Sequence, residues 1–245
     1  MNASANPRDQ IDIRYHQHTG SRLARRISTI ARRRVHDLFL QTLQPRPGDR
    51  ILDIGTSDDT GPDSNMLEQL YPHRENLTCC SLTDGKSILA AYPGVRHVRI
   101  APGEPLPFDR NAFDIVYSNA VLEHVGSPER QRQFIAELCR VAPRRFLAVP
   151  NRGFPIEHHT CLPLVHHLPK TWFRRLVRGT RYDFWSHEEN LNYVSAADLR
   201  ALWPADGRPT VRYTGIGFGP WKSNLVAYQI QPALRPDGAP VSDPA

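Results

Sequence analysis

The 245-residue chain has little lysine, cysteine or methionine. It also has no long apolar run. Each shortage excludes something. Lys86, Lys170 and Lys222 are the only lysines among 31 basic residues, so arginine carries the basic character. A bias that strong reflects genomic base composition rather than recognition, and a net charge of +6 does not by itself require a nucleic-acid partner. The four cysteines, Cys79, Cys80, Cys139 and Cys161, form no CxxC pair, and two are adjacent in a predicted strand. Reduced, buried thiols are expected rather than a disulfide framework or a cysteine zinc site. No apolar stretch reaches the roughly 18–20 residues of a membrane span. The opening "MNASANPRDQIDIRY" lacks the apolar core of a secretory signal. A soluble, cytoplasmic protein with one α/β domain is the expectation.

What is present alternates. Apolar residues recur at helical spacing from Ser21 to Leu43, opposite an arginine-rich face (Arg22, Arg25, Arg26, Arg32, Arg33 and Arg34). "QPRPGDR" then ends that helix with prolines and a turn glycine. Strands are predicted at 50–54, 76–82, 97–100, 113–118 and 145–149, with helices at 64–71, 86–91 and 128–141 between them. Short apolar strands separated by helices imply a parallel sheet covered on both faces, with ligands beyond the C-terminal strand ends. The expected organisation is an N-terminal helical extension over 1–47, one domain over 48–232 and a flexible tail over 233–245. Residues 1–20 are expected to fray with that tail.

The loop after the first strand, "RILDIGTSDDTGPDSNMLEQL", also lacks something. A dinucleotide pyrophosphate needs Gly-x-Gly-x-x-Gly opening into a helix, because its charge rests on bare amides. Here Ser57 and Asp59 stand where the later glycines belong, and Asp58, Asp59 and Asp63 would repel phosphate. A phosphate-free cofactor with a positive centre suits this loop, and S-adenosylmethionine, a sulfonium with an amino-acid tail, is one.

Downstream, Leu106–Pro107–Phe108, Phe113–Asp114–Ile115–Val116 and Leu122–Glu123–His124–Val125 follow one another at characteristic spacing. With these pieces the sequence resembles the class I S-adenosylmethionine-dependent methyltransferases, specifically the type 11 methyltransferase-domain group, over about residues 48–151. The resemblance implies a Rossmann-like, doubly wound seven-stranded sheet, mostly parallel with an antiparallel last strand. Residues 210–216 and 222–230 suit its final two strands. It also implies that Asp53, Gly55 and Thr56 seat the cofactor. The acid that usually ends strand two falls at Ser81, leaving Asp84 as substitute. The acid after strand three falls at Pro102, leaving Glu104. Asn119, after strand four, is a further cofactor contact, or a turn former.

For methyl transfer by in-line displacement the enzyme mainly supplies alignment. A base is needed only for a protonated acceptor. His124, Glu157, His158 and His159 are the candidates, although His124 also reads as packing. In the segment 150–178, Glu157, His158, His159, His166 and His167 follow no recognised zinc spacing, so no metal site is read. Apolar residues 162–177 interleaved with Lys170, Arg174, Arg175 and Arg178 read as core packing, as a lid over an apolar small-molecule acceptor, or as an edge resting on an anionic membrane. Two other functions are carried: a cofactor-free scaffold on the same fold, and an RNA methyltransferase docking through the arginine helix. The acceptor and the oligomeric state are not legible.

Overall fold

Four consecutive buried residues, Ile51–Ile54, make β1 the centre of the sheet. The protein was analysed as a computed structural model that describes residues 22–205 and 207–231. The expected frayed start at 1–20 and the tail at 233–245 lie outside the described residues. Around β1 stand β2 (Leu77–Ser81), β3 (Arg96–Arg99), β4 (Ile115–Asn119), β5 (Arg144–Pro150), β6 (Thr210–Thr214) and β7 (Asn224–Ile230). Their order is β3-β2-β1-β4-β5-β7-β6. The first five run parallel, and β7 is antiparallel to both neighbours. The seven-stranded, doubly wound sheet is therefore present. The order reverses beside β1, the point at which sheets of this kind bind ligands beyond the C-terminal strand ends.

Alternate residues of β1 face opposite cores. Leu52 and Ile54 pack with α4 (Pro128–Val141) and α6 (Ala196–Leu202), through Ile135, Leu138, Val141 and Leu199. Ile51 packs on the other face with α1 (Arg22–Leu43), α2 (Met66–Leu70) and α3 (Lys86–Ala91), through Val35, Phe39, Leu67 and Ile88. Phe39 of α1 is fully buried, edge-on to Tyr117 and Phe146 at 5.1 and 5.4 Å. Each such aromatic pair adds about 0.5–1.5 kcal/mol to the burial itself. The arginines of α1 stay on the outside, with Arg22, Arg25, Arg26, Arg33 and Arg34 exposed.

Two elements depart from expectation. Helix α6 was not anticipated, although Ser195 and Asp198 form the reciprocal capping box that starts it. The 162–178 stretch yields a 3-10 turn at Val165–His167 and then α5 (Lys170–Val177). Only Phe173 and Val177 of α5 are buried; they pack with Trp185, Leu191 and Tyr193. The thiols need a correction: Cys79 and Cys80 are buried, but Cys139 is only half-buried and Cys161 is exposed, in a tight turn with φ of +57°. Among the described residues no helix is long and apolar enough to cross a membrane.

Candidate active site

The loop after β1 spends its amides internally. Gly55 and Thr56 donate to the Cys80 carbonyl at 2.8 and 3.2 Å. Ser57 N donates to Asn65 Oδ1, Asp59 N to Ser57 Oγ, and Gly61 N to Asp59 Oδ1, each at 2.9–3.0 Å. A loop closed in this way offers these N–H groups to no phosphate. It offers negative charge instead: Asp58 Oδ1 is buried with no hydrogen-bond partner. Gly55 has φ of +97°, and a Cβ there would lie 2.0 Å from Val121 Cγ2, so the loops after β1 and β4 touch at a point only glycine permits.

Asp53 lies within β1, just before this loop. It is buried against Glu68, whose Oε1 accepts from Cys79 Sγ at 3.1 Å. Burial, then the Glu68 charge, raises the Asp53 pKa well above the usual carboxylate range. Glu68 is also raised by burial. Of the two, Asp53 is the more strongly raised, and Glu68 Oε2 has no hydrogen-bond partner. At the end of β2, Ser81 Oγ lies 3.0 Å from Thr83 Oγ1 and 2.8 Å from His97 Nε2. Burial lowers the His97 pKa. The site expected to hold an acid therefore carries a neutral hydroxyl–imidazole network. Asp84 is exposed and bound by Lys86 Nζ at 2.6 Å, and Glu104 is exposed on its loop. Asn119 is half-buried at the end of β4.

Beyond Asn119 the chain turns through Ala120, whose φ is +59°, into a 3-10 turn at Leu122–His124. Distant residues pin that turn. Asn192 N donates to the Glu123 carbonyl at 2.7 Å, and Gln131 Nε2 donates to the Leu122 and Asn192 carbonyls. His124 Nδ1 donates to the Asn190 carbonyl at 2.7 Å, which turns Nε2 towards the loop after β5. That loop folds back between Glu157 and Leu162, with Glu157 N on the Leu162 carbonyl at 2.9 Å.

Glu157 is fully buried and accepts four hydrogen bonds: from His159 N at 2.8 Å, His159 Nδ1 at 3.0 Å, Thr160 N and the Tyr193 hydroxyl. Burial alone would raise its pKa. The charge and bond of His159, with those of Thr160 and Tyr193, outweigh burial and hold Glu157 well below the usual range. With Nδ1 engaged, His159 directs Nε2 to within 3.3 Å of His124 Nε2. Trp185 flanks both rings, at 4.4 Å from His159 and 5.9 Å from His124.

Three of the four candidate catalytic residues therefore meet: His124, Glu157 and His159. His158 does not join them. Its ring lies beside Phe154, and burial pushes its pKa down to about 4. Glu123, Asp58, His97, Trp185 and Tyr193 were not singled out as site residues. Glu123 carried a signal beside His124, and Asp58 one in the acidic loop. Nothing near Trp185 or Tyr193 in sequence marks them.

Residues 52–145 match the family model described as methyltransferase domain, of type 11. No curated protein sequence matches the chain. Among solved structures it is similar to the N-methyltransferase NodS from Bradyrhizobium japonicum WM9, determined with S-adenosylhomocysteine. The two are 15% identical with a TM-score of 0.53, over 82% of this chain and 87% of that one. It is also similar to magnesium protoporphyrin IX methyltransferase (ChlM) from Synechocystis PCC 6803, at 18% identity and a TM-score of 0.54, over 91% and 93% of the two chains. A third is the putative methyltransferase bound to the Trm112 activator of Haloferax volcanii, at 13% identity and 0.54, over 94% and 100%. Sheet order, motifs and family match agree: residues 52–145 form a methyltransferase domain of the type 11 family, within a fold shared with these methyltransferase structures.

Proposed function

We propose that the chain methylates a small-molecule acceptor between the loops after β1, β4 and β5. The observation that carries this is the buried, unpartnered Asp58 Oδ1 beside a loop whose amides are already bonded. Such a wall suits a cationic ligand and not a pyrophosphate, so the residues fit S-adenosylmethionine. When bound, S-adenosylmethionine supplies a sulfonium-activated methyl group open to in-line displacement.

The chain's own residues then divide the work. Asp58, Gly55, Thr56 and Asn119 would hold the cofactor directly. Asp53 acts through Glu68 as a positioning residue just before the loop. Asp84 and Glu104 are exposed at the outer edge and would meet the cofactor there. On the acceptor side, Glu157 fixes the His159 ring through Nδ1, the Asn190 carbonyl fixes His124, and the two Nε2 atoms face the position a protonated acceptor would use. Trp185 supplies an apolar wall that excludes water. The methyltransferase domain is proposed to span 48–232, with α1 as an extension packed onto it. A cytoplasmic location accompanies this reading, in line with the free thiols of Cys79 and Cys80.

Calorimetric titration of S-adenosylmethionine and S-adenosylhomocysteine into the full chain tests the proposal, with Asp58→Ala beside wild type. Saturable binding is expected, weakened about 10–100-fold in the variant, as for loss of a charge-assisted hydrogen bond of about 1.5–3 kcal/mol. Absence of binding in wild type would leave the cofactor-free scaffold as the reading.

A further inference from the structure

Beside His124 and His159 stands a third group, Glu123, that methyl transfer from a sulfonium does not require. Glu123 is fully buried, and neither of its carboxylate oxygens has a hydrogen-bond partner. A buried carboxylate left that way is costly, and native proteins resolve the cost with a proton, a cation or a metal. Its Oε1 lies 3.7 Å from His124 Nε2. Both imidazoles use Nδ1–H on an acceptor, His124 on the Asn190 carbonyl and His159 on Glu157. In the neutral rings this places the lone pairs on the two Nε2 atoms, 3.3 Å apart. Two lone pairs at that distance repel unless something electron-poor lies between them.

We propose that this chain binds one divalent transition-metal ion of the zinc class through Glu123, His124 Nε2 and His159 Nε2. One ligand atom from each residue lies within 4.8 Å of the others. The dimensions agree. Metal–nitrogen bonds of about 2.0–2.1 Å opened to the tetrahedral angle separate two nitrogens by about 3.3–3.4 Å. The separation between the histidines already matches, and Glu123 has only a small distance to close. Imidazole and carboxylate together favour zinc or its first-row neighbours over magnesium or calcium, which take oxygen shells. The outer shell is also present: metal-bound histidines characteristically give their second N–H to a carbonyl or carboxylate, as both do here. Glu157 and Tyr193 then orient a ligand and bind nothing themselves. Three protein ligands leave a coordination position for water or an acceptor heteroatom.

This differs from the Glu157, His158, His159, His166 and His167 run that lacked a zinc spacing. Two of its ligands sit at the end of β4 and only one in the loop after β5. It shares both imidazoles with the proposed acceptor side: a bound ion would take up the two Nε2 lone pairs and present a coordinated water or acceptor heteroatom in their place, and its uptake does not need the cofactor.

The test uses the full chain, stripped by chelator and titrated with Co2+ as a visible-absorption probe, then with Zn2+ in competition. One ion per chain is expected, with d–d bands and no thiolate charge-transfer band. Zn2+ should displace it. Glu123→Gln, nearly isosteric and able to fold without the buried charge, and His159→Ala should each weaken binding by more than about 100-fold, beyond the 10–100-fold cost of an outer-shell partner. His187→Ala, a half-exposed histidine outside the cluster, should bind as wild type. No saturable uptake by wild type would overturn the proposal and leave the histidines sharing a proton. So would a thiolate band, or uptake unchanged in Glu123→Gln.

Discussion

His124 and His159 bring their Nε2 atoms to 3.3 Å across 35 positions of sequence. They meet because β4 and β5 are parallel neighbours, so the turn after one strand and the loop after the other leave the sheet at the same edge. Side chains in such contact do not act additively. In metal-free protein, a double-mutant cycle of His124→Ala and His159→Ala should show a coupling of about 0.5–3 kcal/mol in urea unfolding. Strict additivity would mean that the rings are not in contact in solution.

Tyr193 donates to Glu157 from a position next to Asn192, which itself braces the Glu123 turn. Tyr193→Phe removes that donor and leaves the ring. The expected cost is about 1.5–3 kcal/mol of unfolding free energy, the range for a hydrogen bond to a charged group. A loss below about 0.5 kcal/mol would show that His159 and Thr160 satisfy Glu157 without it.

Gly55 carries a conformational and a steric constraint together. Gly55→Ala should destabilise by more than about 1 kcal/mol, because φ of +97° is unfavourable for alanine and its Cβ meets Val121. The same substitution in a Val121→Ala background should recover the steric part and keep the backbone part. Thermal unfolding of the four proteins separates them, and no recovery would mean that the loops after β1 and β4 are not in contact.

The Asp53–Glu68 pair links stability to pH. An ordinary aspartate titrates at 3.8, and folded Asp53 titrates well above it. The folded state therefore binds this proton more tightly. Its stabilising contribution is complete below pH 3.8 and is lost as pH rises towards the folded pKa. Asp53→Asn keeps a donor for Glu68 and abolishes that loss. Urea midpoints from about pH 4 to about pH 8 should fall more steeply for wild type than for the variant. Parallel profiles would show that Asp53 is ionised in the folded protein.

Much of the framework was legible without coordinates. Short runs such as Ile51–Ile54, apolar but for Asp53, identify themselves as buried parallel strands, because only a sheet covered on both faces hides every side chain. Helix α4 shows its Pro128 start and its apolar face equally plainly, and the Leu106–Phe108, Phe113–Val116 and Leu122–Val125 pieces carried the family resemblance. Cys161 misled because cysteine is usually buried, a preference the turn after Glu157 overrides.

The site divides in the same way. Which loops carry chemistry follows from strand order, so the segments after β1, β4 and β5 could be named from sequence. The partners within them could not. That Asp53 meets Glu68 while Asp58 keeps an unpartnered oxygen depends on which way each side chain leaves its loop. That Tyr193 closes over Glu157 depends on a chain return 36 positions away. Local periodicity reports which face of an element is buried, and so the sequence by itself determined the sheet and its helices. Contacts between strand-end loops are long-range and leave no periodic trace, so only the tertiary structure decided that Glu123, His124, Glu157, His159 and Tyr193 form one cluster.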